Sequence, residues 1–78
     1  MINNTEQVYQ MEEIIGGRLL ANSIVTALLT ERIAYSIAPL DPPQFFSITV
    51  SSHDRARLHA VIKTCHLAVG GSVREAFR

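Results

Sequence analysis

The chain of 78 residues has the length of one small domain, and its seven basic and seven acidic side chains give a formal net charge of zero. Charged residues make up 18% of the chain, below the roughly 25% of a typical soluble domain, while 47% of the residues are apolar. This composition excludes a disordered chain and disfavours a nucleic-acid-binding module. Because so few charges cannot cover the surface well, it also favours self-association.

We expect a single small α+β domain over residues 1–78, with residues 1–4 frayed and residues 72–78 forming a short C-terminal tail, for which the sequence leaves a helical turn open. A lone cysteine cannot form an intramolecular disulfide, which fits a reducing compartment. The N-terminus has neither the basic nor the apolar segment of a signal peptide. The most apolar run, residues 19–29, is too short to cross a membrane. These features predict a cytoplasmic protein that does not enter a membrane.

A first helix is predicted from a cap at Asn4 or Thr5 to about Thr30, with apolar residues on two sides. One half of the helical wheel contains Val8, Met11, Ile14, Ile15, Leu19, Ala21, Val25, Leu28 and Leu29. The second stripe consists of Tyr9, Leu20, Ile24 and Ala27. Because a surface helix of a monomer normally has one apolar face, we expect the second stripe to be a homodimer interface.

The pair Gly16-Gly17 lies inside this predicted helix. Each glycine costs a helix roughly 1 kcal/mol relative to alanine. The helix therefore either breaks at this pair or uses the missing side chains for a close approach of another backbone. No strand is predicted before the pair and no phosphate-loop spacing surrounds it.

Residues 33–50 read as a hairpin, because apolar and small residues alternate with a period of two on each side of a proline-rich turn. The large apolar face contains Ile33, Tyr35, Ile37, Phe46, Ile48 and Val50. A hairpin alone is marginal in water. We therefore expect helices on this face and a second hairpin at an open edge.

A second helix is predicted after Ser51, which with Asp54 resembles a capping box, and it ends at Gly70-Gly71. Its apolar stripe consists of Leu58, Val61, Ile62 and Cys65. Its opposite side carries a basic stripe, and we assign partner binding to Arg55, His59, Lys63 and His66. Basic residues near a helix start can bind phosphates, but a neutral domain favours an acidic protein partner.

Chemically active groups are sparse, so we predict no catalytic, cofactor-binding or metal-binding residues. Cys65 is expected to be a buried packing residue, since it lies on the apolar stripe. His59 and His66 are seven residues apart, about 10.5 Å along a helix, which is too far to share a metal ion. Glu12 and Glu13 are adjacent on the predicted first helix and are expected to form a solvated face.

Charge is distributed unevenly along the chain. Residues 1–43 contain two basic and five acidic side chains, whereas residues 44–78 contain five basic and two acidic ones. Such asymmetry indicates either a nucleic-acid-binding face or two halves that complement each other, within one subunit or across a dimer.

The expected fold is α+β with the order α-β-β-α, a two-stranded antiparallel hairpin covered on one face by two helices. Dimerisation is expected to complete it, through a larger sheet or through helices. The function expected from this architecture is a small intracellular protein-interaction or regulatory module, without catalysis, that binds a macromolecular partner. The alternative is a nucleic-acid-binding regulator that uses the basic stripe of the second helix.

Overall fold

The computed structural model describes residues 9–41 and 43–75. In chain order its elements are β1 (Gln10–Gly16), α1 (Arg18–Thr30), β2 (Tyr35–Pro39), β3 (Phe45–Ser51), a short 3-10 turn (Ser52–Asp54), α2 (Arg55–Val69) and β4 (Ser72–Glu75). The predicted caps Asn4 and Thr5 lie outside the described residues, and so do residues 1–4, which we expected to be frayed, and the last three residues of the tail.

The strands form one sheet in the order β2-β3-β1-β4, and every neighbouring pair is antiparallel. This β-α-β-β-α-β order is the split β-α-β, or ferredoxin-like, arrangement. The α+β class is therefore confirmed, and the expected antiparallel pair of β2 and β3 is present. The order α-β-β-α is wrong, because a strand lies at each end of the described chain.

The helix predicted over the N-terminal segment is wrong before Gly17, because Gln10–Gly16 forms the central strand β1. Gly17 has φ 109°, a conformation that glycine adopts at little cost, and α1 begins at Arg18. The amide of Gly17 donates to the carbonyl oxygen of Gln44 at 2.9 Å, in continuation of the β1–β3 ladder. Of the two interpretations of the glycine pair, the break is the correct one.

The tail, for which the sequence left a helical turn open, forms the strand β4 over residues 72–75. Gly70 ends α2 as expected, and both Gly70 and Gly71 have positive φ, which turns the chain back towards the sheet. β4 then pairs with β1. Without β4, β1 would present unpaired amide and carbonyl groups along that edge.

One face of the sheet is covered by both helices. Residues directly opposite each other across antiparallel strands share a face of the sheet. The pairs Ile15–Phe46 and Tyr35–Val50 lie on the apolar face. The core contains Ile15, Leu20, Ala21, Ile24, Leu28, Ile33, Ile48, Val50, Leu58, Ile62 and Cys65. The expected face of β3 and the expected stripe of α2, including buried Cys65, are confirmed.

The stripe assigned to a homodimer interface does not form a surface. Leu20 and Ile24 are buried in the chain's own core, and Ala27 packs against that core. Tyr9 precedes β1 and is exposed. Because α1 starts after the glycine pair, the predicted second stripe faces the sheet, while Leu19 from the predicted main face is exposed to solvent.

Candidate binding surface on the second helix

The helix α2 places the four predicted partner-binding residues on its exposed surface. Arg55 is the first residue of the helix, and His59, Lys63 and His66 follow over the next three turns. Upstream, the hydroxyl of Ser51 accepts a hydrogen bond from the amide of His53 at 3.1 Å. That contact shapes the turn from which α2 starts.

Three of the four residues border one cleft between α2 and the sheet. The cleft has a volume of about 450 Å³ and is lined by Glu13, His59, Ile62, Lys63, His66 and Val73. The structure therefore brings His59, Lys63 and His66 together as the sequence predicted. Arg55 lies two turns before Lys63 and does not line the cleft.

The carboxylate of Glu13 lies against the helix side of the sheet, and its side chain is 4% exposed. Its Oε2 atom lies 3.0 Å from Nε2 of His59, whose side chain is 42% exposed. A buried carboxylate is costly unless a hydrogen-bonded partner compensates it. His59 supplies that partner for one of the two oxygens.

Hydrogen bonding fixes the orientation of both cleft histidines. A carboxylate oxygen without a proton and a carbonyl oxygen only accept hydrogen bonds, so against the ionised form of Glu13 the Nε2 atom of His59 is the donor. Nε2 of His66 lies 3.0 Å from the carbonyl oxygen of Gly71 and donates to it. In each neutral ring the Nδ1 atom is then left as an acceptor.

The positive charges on α2 differ in how far they are neutralised. Arg57 contacts Asp54 at 3.4 Å and the Glu31 carboxylate at 3.7 Å. Within the ranges 9–41 and 43–75, neither Arg55 nor Lys63 has an ion-pair partner. The free cations of the helix therefore lie on the predicted stripe.

Glu13 is the cleft residue that the sequence prediction missed, because the solvated face expected for Glu12 and Glu13 is half wrong. Glu12 is exposed on the open face of the sheet and accepts a hydrogen bond from the hydroxyl of Ser47, whereas Glu13 is buried on the opposite face. Met11, Glu13 and Ile15 share a face only when this segment is a strand, so the predicted helix hid the burial of Glu13.

The contacts of Glu13 and Glu31 also bear on the uneven charge of the chain. Glu31 of the first half contacts Arg57 of the second, which brings opposite formal charges together within one subunit, and Glu13 is hydrogen-bonded to His59, which the charge count treats as neutral. This arrangement favours the interpretation that the two halves complement each other inside the chain.

The side chains that line the cleft determine which contacts this surface can make. In the part of the chain that the structure describes, no group of three or more His, Cys, Asp or Glu residues is placed to hold a metal ion. The sole thiol, Cys65, is buried on the other side of α2. What the cleft offers is a lysine ammonium group, two oriented imidazoles and apolar contact area.

Comparison of the chain with protein families, curated proteins and solved structures gives no match. No helix within residues 9–41 and 43–75 is long and apolar enough to span a bilayer. The fold defines the chain as a small α+β domain. The surface of α2 is its candidate binding site.

Proposed function

We propose that the chain is a small intracellular interaction or regulatory module that binds an acidic surface of another protein, without catalysis, through the outer side of α2. The observation that carries this proposal is the pair of exposed cations, Arg55 and Lys63, that have no acidic partner among the described residues. An unpaired cation on a structured helix is available to a partner at no cost in broken ion pairs.

The spacing of these cations suits two acidic groups on one partner. Arg55 and Lys63 are eight residues apart, about 12 Å along the helix axis. The guanidinium group can hold a carboxylate in a two-pronged contact, whereas the ammonium group acts as a point charge. Exposed charges of this kind contribute to association rate and partner choice more than to affinity.

A protein partner is favoured over a nucleic acid by the charge of the remaining surface. The open face of the sheet carries the exposed carboxylate of Glu12, which would repel phosphates. The chain has zero formal net charge and a sequence pI of about 6.8, well below the values above 9 typical of nucleic-acid-binding domains. A nucleic-acid-binding regulator that uses the same stripe is the alternative, supported by the basic side chains on one side of α2.

The test uses two double charge reversals that change the net charge equally. Arg55→Glu with Lys63→Glu alters the stripe, and Arg18→Glu with Arg74→Glu alters exposed arginines elsewhere. Binding to a fluorescent glutamate-rich peptide and to a mixed-sequence DNA duplex is measured by anisotropy at several salt concentrations. We expect the stripe variant to lose at least tenfold in peptide affinity, the control variant to lose little, and duplex binding to be weaker than peptide binding.

The same titrations separate the two candidate functions. Tighter binding of the duplex, with a steep salt dependence that the stripe variant removes, would support the nucleic-acid alternative. Equal losses in both variants would show that total charge matters and that the stripe is not the binding surface.

We also propose that the chain acts as a homodimer, with an interface other than the stripe of α1. Support comes from the low charge content and from a sheet whose outer strands, β2 and β4, each have an open edge among the described elements. A strand at the edge of a sheet presents unpaired backbone groups that readily pair with another chain.

A further inference from the structure

We infer that the homodimer forms through β2, whose outer edge pairs antiparallel with β2 of a second copy and joins two four-stranded sheets into one. This inference rests on the homodimer proposed above and names its interface. Three features carry it: the direction of the backbone groups of β2, the position of Pro39, and the absence of charge along the strand.

The direction of the backbone groups follows from the register of β2 on β3. The amide of Leu40 donates to the carbonyl oxygen of Phe45 at 2.9 Å, one step beyond the pair Pro39–Phe46. Hydrogen-bonded and non-hydrogen-bonded pairs alternate along an antiparallel ladder. Ser36 and Ala38 therefore bond to β3, while Tyr35, Ile37 and Pro39 direct their backbone groups to the open edge.

Pro39 occupies a position at which its missing amide hydrogen leaves the β2–β3 ladder complete. Proline within a sheet is confined to places where no ladder donor is needed, such as the open side of an edge strand. Its carbonyl oxygen remains an acceptor at the outer edge. The edge thus presents the amides of Tyr35 and Ile37 as donors and three carbonyl oxygens as acceptors.

A second copy matches this pattern when a twofold axis passes beside Ile37. The two Ile37 residues then form a hydrogen-bonded pair, and the amide of each Tyr35 donates to the carbonyl oxygen of the other copy's Pro39. Because Pro39 has no amide hydrogen, the opposed Tyr35 carbonyl oxygen receives no hydrogen bond from it. That oxygen keeps access to water at the end of the strand. Side chains of opposed residues share a face, so Ile37 meets Ile37, and Tyr35 meets Pro39.

The two outer strands differ in charge. β2 has the sequence Tyr-Ser-Ile-Ala-Pro and carries no charged residue, whereas β4 carries the exposed side chain of Arg74. Natural edge strands that avoid pairing are commonly protected by charged side chains. β4 has that protection and β2 does not, and a neutral strand does not repel an identical copy.

The test is a matched pair of lysine substitutions at equally exposed edge positions. Ile37 in β2 is 40% exposed and Val73 in β4 is 39% exposed, and both lie on the helix side of the sheet. Sedimentation equilibrium at tens of micromolar is expected to give twice 8.6 kDa for the parent chain and for Val73→Lys. Ile37→Lys places two ammonium groups at the twofold axis and is expected to give a folded species of 8.6 kDa.

Two further variants at Ile37 distinguish a loss of the dimer from a loss of folding. Ile37→Pro removes an outward amide hydrogen and no donor of the β2–β3 ladder, so far-ultraviolet circular dichroism is expected to stay unchanged while the dimer is lost. Ile37→Cys brings two thiols together across the axis and is expected to give a disulfide-linked dimer on mild oxidation, which Val73→Cys does not. Cys65 is buried and remains in both variants.

The outcomes distinguish the interface from the dimer itself. A parent chain of 8.6 kDa would contradict both the homodimer and this inference. A dimer that persists in Ile37→Lys and Ile37→Pro would overturn the β2 interface and leave the homodimer standing. Loss of the dimer in Val73→Lys alone would assign the interface to β4 and overturn the inference equally.

Discussion

The imidazole of His59 and the carboxylate of Glu13 connect the centre of the sheet to the helix that carries the candidate binding surface. Their atoms Nε2 and Oε2 lie 3.0 Å apart. Glu13 belongs to β1, opposite Ile48 of β3, and is nearly inaccessible to solvent, whereas His59 lies on α2 and is partly exposed. The contact therefore makes the position of one cleft residue depend on a group inside the fold.

We predict an energetic coupling between these two residues. His59→Ala leaves the buried carboxylate without its partner and should lower the free energy of unfolding by about 1–3 kcal/mol. Glu13→Gln removes the buried charge and keeps the size of the side chain. The double variant should lose less free energy of unfolding than the two single variants lose together. The difference, measured by urea titration, is the coupling energy and should be about 0.5–3 kcal/mol.

Glu12→Gln is the matched control for this cycle. Glu12 is the neighbouring carboxylate, but it is exposed on the other face of the sheet and interacts with Ser47. Combined with His59→Ala, it should give additive losses. A coupling as large as that of Glu13 would show that charge in general, and not the contact with His59, is responsible.

A second prediction concerns the two faces of β3. Ile48 is fully buried beneath the helices, and Thr49 is half-buried on the open face. Ile48→Ala should cost about 2–5 kcal/mol because a cavity remains, whereas Thr49→Ala should cost under about 1 kcal/mol. Urea titration of both variants compares the costs directly, and equal values would contradict the assignment of the faces.

The parts of the fold that could be predicted are those whose pattern is local. In β3, Phe46, Ile48 and Val50 alternate without competing periodicity, and α2 has one apolar stripe between a clear start and a glycine end. The exposure of the basic residues of α2 follows from the same apolar stripe, because they lie on the opposite side of the helix. For these elements the burial of side chains follows from the sequence spacing alone.

The parts that were missed depend on contacts between distant residues. Met11, Ile14 and Ile15 fit a helical spacing better than an alternating one, since Ile14 lies on the opposite face of the strand, and only pairing with β3 and β4 makes this segment the central strand. β4 has four residues and forms because it can hydrogen-bond to the edge of β1. Glu13 could not be recognised as buried until β1 was known to be a strand.

A third prediction concerns Cys65, which lies 7% exposed in the core beneath α2. A thiol reagent should modify it slowly in the native protein, since the thiol must first be exposed by opening of the structure. Cys65→Ala should lower stability and leave peptide binding unchanged. The control is Thr64→Cys, which adds a thiol at the neighbouring exposed position and should react at once. Immediate labelling of Cys65 without denaturant would show that the described burial is wrong.

A fourth prediction compares the two glycines that turn the chain from α2 into β4. Gly70 and Gly71 have φ angles of 80° and 92°, so alanine at either position should cost about 1–3 kcal/mol in backbone strain. The surroundings differ, because a Cβ at Gly70 meets no atom within 4 Å. A Cβ at Gly71 would lie 2.7 Å from the carbonyl oxygen of Gly16 and 2.9 Å from Cβ of Leu20.

These two contacts are with the end of β1 and the first turn of α1, neither of which can move without disturbing the ladder or the core. Gly71→Ala should therefore be less stable than Gly70→Ala by a further amount of about 1–3 kcal/mol, the usual cost of overpacking. Urea unfolding of both variants measures the difference. The same substitution shifts the carbonyl group that accepts the hydrogen bond of His66, so peptide affinity should fall in Gly71→Ala more than in Gly70→Ala. Equal stability of the two variants would mean that Gly71 does not lie against Gly16 and Leu20 as described, and the turn that leads from α2 into β4 beside the cleft would then be placed differently.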